Sequence, residues 1–133
     1  MINRQQCFFT LFMLALSTPL LAHEGHNDAP GAFKSNHGGV VKAGHEINLE
    51  FVSSGAIVRI FPISHDGKER PANELKLTAT TKHPKGKPEV AKIEFKDGAF
   101  TTQVDFKGSY RVELSVDVNT HGKQDHFTFQ VEK

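Results

Sequence analysis

Tryptophan is absent from this chain of 133 residues, and tyrosine and cysteine occur once each. The cysteine, Cys7, and both methionines, Met1 and Met13, lie near the start. Beyond Met13 there is no sulfur-bearing side chain, which excludes a disulfide, a thiolate centre and a soft Cu(I) site of thioethers from the rest of the protein. An excess of one charge is also missing: 16 Lys and Arg stand against 15 Asp and Glu, and Arg4 is the only one of these among the first 22 residues. So balanced a chain offers no basic face to a nucleic acid. No apolar run reaches the roughly 20 residues that a membrane-spanning helix needs. Helical periodicity, internal repeats, a glycine-rich phosphate loop and a nucleophile-elbow serine are all lacking, and no pair of carboxylates stands out from the surface charges. Nothing in these absences favours an enzyme.

What is present begins with an export signal. Arg4 precedes the apolar stretch Cys7–Leu16, and Ser17-Thr18-Pro19-Leu20-Leu21-Ala22 ends it with a small residue at the expected cleavage point. Residues 1–22 therefore read as a cleavable signal peptide, leaving no membrane span after processing. All eight histidines follow Ala22. Residues 23–36 contain Pro, Gly, Asn and Asp without an apolar period, and read as a flexible His-containing tail.

From Val40 onward the pattern has period two, the mark of half-buried strands. Ile47, Leu49 and Phe51 alternate with polar residues, whereas Ala56–Ile63 is apolar on both faces, as a central strand would be. Turns at Asp97-Gly98 and His121-Gly122 set two hairpins. Their parity places Phe95 opposite Phe100, Ile93 opposite Thr102, Val116 opposite Phe127 and Leu114 opposite Phe129. About seven strands at regular spacing over residues 37–133 predict an antiparallel immunoglobulin-like β-sandwich, with a small barrel as the alternative.

Cleavage after Ala22 would free the α-amine of His23, which with its own Nδ1 can chelate one metal ion. His26 lies close by in sequence, and His37 opens the folded part in His37-Gly38-Gly39. Imidazole and carboxylate donors favour Cu(II), Zn(II) and similar divalent ions. His121 sits at a hairpin tip, and the register sets His126 opposite Asp117, so this pair is a secondary candidate. His45, His65 and His83 read as rim, turn and loop residues.

The order of these features carries a resemblance. A His-containing tail, His37-Gly38-Gly39-Val40-Val41, Asn48-Leu49-Glu50-Phe51 and His65-Asp66-Gly67-Lys68 resemble small periplasmic proteins and adaptor segments of heavy-metal efflux systems. Gly108–Leu114 and Phe127-Thr128-Phe129 are similar to YtkA-like and CopC-like domains. The resemblance implies an immunoglobulin-like sandwich that binds or delivers a metal such as copper in the periplasm, with His23 matching the exposed N-terminal histidine of CopC-like proteins. The expectation is thus a non-enzymatic periplasmic protein holding divalent copper or zinc through His23, His26 and His37, with His126 and His121 secondary, and accessory to an efflux subunit. The alternative is an envelope interaction module that contacts such a partner without metal, using Ile57, Phe61 and Ile63 exposed on the second face of their strand.

Overall fold

The computed structural model describes residues 33–133. The proposed signal peptide and most of the tail, including His23 and His26, lie outside the described residues.

Alternating side chains pair into nine strands: β1 (Val40–Ala43), β2 (Asn48–Ser54), β3 (Ile57–Ile63), β4 (Leu75–Lys82), β5 (Glu89–Ala91), β6 (Glu94–Lys96), β7 (Ala99–Gln103), β8 (Arg111–Thr120) and β9 (Lys123–Glu132). They form two antiparallel sheets, ordered β1-β2-β3-β7-β6 and β5-β4-β8-β9. The run β2-β3-β7-β6 facing β4-β8-β9 is the wiring of an immunoglobulin sandwich, with β1 and β5 added at edges. Among the described residues the only helical element is one 3-10 turn, Ala72–Glu74.

The core lies between the sheets, where the period-two pattern puts it. Leu49, Phe51, Val58, Ile60, Val112, Leu114, Val116 and Val131 are buried there. The Phe51 and Phe129 rings stack at 4.9 Å, joining the two layers. The β8–β9 ladder has Val116 opposite Phe127, Leu114 opposite Phe129 and Asp117 opposite His126, as parity requires.

Two expectations need correction. Among the described residues there are nine strands rather than about seven, because β1 is a separate edge strand and the single strand expected near Ala91–Phe95 is two. Its first part, β5, pairs with β4, while its second, β6, crosses to pair with β7. Phe95 does face Phe100, but the ladder ends at Glu94, so Ile93 never pairs with Thr102. On this short edge strand Phe95 remains 54% exposed.

β3 carries apolar side chains toward both faces for a local reason. Its outward Phe61 and Ile63 are buried, as is the outward Glu50 on neighbouring β2. The chain itself covers them. An N-terminal strap, residues 33–39, crosses the outer face of this sheet. A loop, residues 64–74, folds back beside it through a bridge between Ile63 and Glu69. The support expected for an interaction surface therefore shrinks to Ile57, since Phe61 and Ile63 are covered from within.

Candidate metal centre

Under the strap, Glu50 accepts the backbone N–H groups of Asn36 at 3.0 Å, His37 at 2.8 Å and Gly39 at 2.9 Å. Burial pushes this carboxyl upward, but the amides of Gly39 and His37, the His37 ring and the Asn36 amide outweigh it and hold Glu50 below the usual carboxylate range. A buried anion satisfied by several donors is thus fixed in the middle of the outer face.

The two glycines make this wrapping possible. Gly38 has φ of 75°, a left-handed conformation in which other residues are strained. At Gly39 an added Cβ would meet the Phe51 carbonyl oxygen at 2.3 Å, so only glycine lets the strap come this close to β2. His37 is carried on this turn. Its ring stacks on Phe61, with centroids 3.7 Å apart and planes inclined by 10°, and the Arg59 guanidinium lies 4.9 Å from the centre of the same Phe61 ring.

Both nitrogens of His37 face carboxylates. Nδ1 lies 3.1 Å from Glu50 Oε2, and Nε2 lies 3.0 Å from Glu69 Oε1. The Asn36 amide also reaches the Gly67 carbonyl, tying strap to loop at a second point. The His37 side chain is 31% exposed and Glu69 is 51% exposed, so solvent reaches the outer nitrogen while the inner one is held by a buried anion. A carboxylate that orients an imidazole through one nitrogen and leaves the other for a ligand is a common support for metal-binding histidines.

The other histidines among the described residues are dispersed. His126 Nδ1 lies 2.7 Å from Asp117 Oδ1, an exposed cross-strand pair of the kind the register predicts. His121 lies exposed at the β8–β9 turn, with φ of 50°. The Nε2 atoms of His65 and His83 donate to the carbonyls of His45 and Asp105 at 2.9 and 2.7 Å. His45, read as a rim residue, lies exposed in the turn between β1 and β2. Among the described residues no three His, Cys, Asp or Glu side chains converge as a ready-made metal cage. Of the predicted ligands among the described residues, His37 is the one with a carboxylate at each ring nitrogen. His121 and His126 are not brought to it.

Glu50 and Glu69 were not anticipated. Glu50 had a faint signal: it stands outward on a strand beside another that is apolar on both faces, so that face had to be covered. Glu69, in a loop of charged and turn residues, had none.

The fold has a solved counterpart. The chain is similar in structure to a DUF4426 family protein from Pseudomonas aeruginosa PAO1, with a TM-score of 0.51 and 14% sequence identity over 70% of this chain and 94% of that one. At that identity the likeness speaks for the sandwich alone. No family model matches the chain, and no curated protein matches it.

Proposed function

We propose that this chain is an exported, non-enzymatic metal-binding protein of the periplasm, taking Cu(II), Zn(II) or a similar divalent ion and serving heavy-metal efflux or homeostasis. The observation that carries the reading is the posture of His37. Its Nδ1 is engaged by a buried carboxylate, and its Nε2 is directed toward solvent and a second carboxylate. His23 and His26 are the proposed partners from the tail, and the chain between His26 and His37 is long enough for either to reach the strap. Imidazole nitrogens and carboxylate oxygens form a borderline-to-hard donor set, which fits divalent copper or zinc. His126 is secondary, since Asp117 is the only carboxylate paired with it among the described residues, and His121, in the β8–β9 turn, is left out of the site.

Titration of the processed protein with Zn(II) and with Cu(II) tests this. His37→Ala should lower affinity by about tenfold or more, a loss no smaller than that usually seen on removing an outer-shell partner. His23→Ala with His26→Ala should lower it further, whereas His121→Ala should leave it unchanged. Affinity that survives the loss of all three, His23, His26 and His37, would sink the proposal.

A further inference from the structure

Strap and loop reach the outer face of the sheet from different parts of the sequence, and they meet at one pair of atoms. His37 comes from the strap and Glu69 from the loop that follows β3, and Nε2 stands 3.0 Å from Oε1. Zn–N and Zn–O bonds of about 2.0–2.2 Å, set at right-angled to tetrahedral angles, place neighbouring ligand atoms about 2.9–3.4 Å apart. The two groups already have that separation.

Their backbones are also fixed. The strap is pinned by three amides on Glu50, and Glu69 is held by its bridge to Ile63 and by the Arg70 N–H on the Pro62 carbonyl at 2.9 Å. Glu69 sits on the solvent side of the imidazole, opposite the buried anion that orients it. This gives one histidine nitrogen, one accessible carboxylate oxygen and open positions toward solvent.

We infer that Glu69 is the second protein ligand of the His37 site, so that a bound divalent ion ties the N-terminal strap to the residue 64–74 loop. The inference rests on the metal-binding reading above. Glu50 is a positioning residue here, because it touches the ring nitrogen that the ion does not use. The folded domain then supplies two ligands, and the remaining positions stand open to water. Bound ion and strap thus support each other: the strap, held over Phe61 by Glu50, presents His37, and the ion adds a second tie to the loop.

Zn(II) binding to the full processed protein, measured by competition with a chromophoric chelator, distinguishes the possibilities. The variants are His37→Ala, Glu69→Gln and, as a control for lost charge, Glu132→Gln. Glu69→Gln should weaken Zn(II) by about tenfold or more, comparable with His37→Ala and larger than the usual minimum for an outer-shell partner. Glu132→Gln should bind as the parent does. Hydrogen exchange adds a readout that a surface ion pair would not move. Zn(II) should slow exchange at Asn36–Gly39 and at Gly67–Arg70 in the parent, and the second protection should vanish in Glu69→Gln. If His37→Ala weakens binding while Glu69→Gln matches the parent, and Zn(II) leaves Gly67–Arg70 exchange unchanged, Glu69 is no ligand and only this inference falls. If His37→Ala also binds as the parent does, His37 is no ligand either, and the whole site under the strap falls with it.

Discussion

Asp125 repeats, from the other sheet, what Glu50 does beneath the candidate metal centre. It lies buried at an inward position of β9 and accepts the N–H groups of His45 at 2.8 Å, Glu46 at 2.8 Å and Ile47 at 3.1 Å. The turn between β1 and β2 is thereby fastened to the last strand. Burial raises this carboxyl, but the amides of Glu46, His45 and Ile47, with the nearby His45, outweigh it, and the folded value lies below the usual range. A depressed folded value means that the unfolded chain binds the proton more readily. The stabilisation is therefore complete above the ordinary aspartate value of about 3.9 and is lost as pH falls through the lower folded value. Urea midpoints should hold from pH 7 to about pH 5 and then drop toward pH 3. Asp125→Asn should cost about 1–3 kcal/mol at pH 7, since a buried donor loses its acceptor. It should also flatten the acid limb, and a variant as acid-sensitive as the parent would count against this account. Such a role was not legible in the sequence. Asp125 reads as one more charge near a strand end, and its partners are about 80 residues away. Glu50 left only the faint signal of its strand position, because three backbone amides leave no mark on composition or spacing.

Hairpins are the elements the sequence states most clearly, because a two-residue turn and a period of two leave one register that buries the apolar set. In both turns the two central residues have positive φ: 49° and 77° at Asp97-Gly98, 50° and 86° at His121-Gly122. This is the type I′ pattern, whose first position favours Asn or Asp over other residues. His121 is thus a turn residue under mild backbone strain. His121→Asn should raise stability by up to about 1 kcal/mol, read as a higher thermal midpoint, with Zn(II) affinity unchanged. A fall in affinity would return His121 to the ligand set. The stretch from Glu89 to Lys96 was illegible for the opposite reason. Two strands of three residues each are too short to display a period, and Ala91, Ile93 and Phe95 alternate identically whether they stay in one sheet or cross to the other.

At the scale of the whole molecule, the second apolar face of β3 was visible in the sequence, but what covers it was not. The residues suggested a docking surface, and the fold closes that surface with its own strap and loop. Phe61 is the floor of this closure and the platform under His37. Phe61→Ala should cost about 3 kcal/mol, the lower end for a buried phenylalanine, and should weaken Zn(II) binding as well, because the ring that positions the imidazole is gone. Metal affinity and domain stability then separate along the chain. Among the described residues the strap is fastened from Phe33, whose ring lies 6.0 Å from that of His65, and from Asn36, which reaches Glu50 and Gly67. A protein exported with residues 23–32 deleted should therefore keep its metal-free thermal midpoint within about a degree. The same protein should bind Cu(II) less tightly, since the His23 chelate and His26 are lost while His37 and Glu69 remain. Zn(II) at a hundred times its dissociation constant should still stabilise the shortened protein by about 2.7 kcal/mol, the linkage value for one site on the folded state. A lower metal-free midpoint would show that the tail holds the sandwich together. An unchanged Cu(II) affinity would show that the tail histidines are no ligands, and would leave the folded pair, His37 and Glu69, as the whole of the protein's contribution.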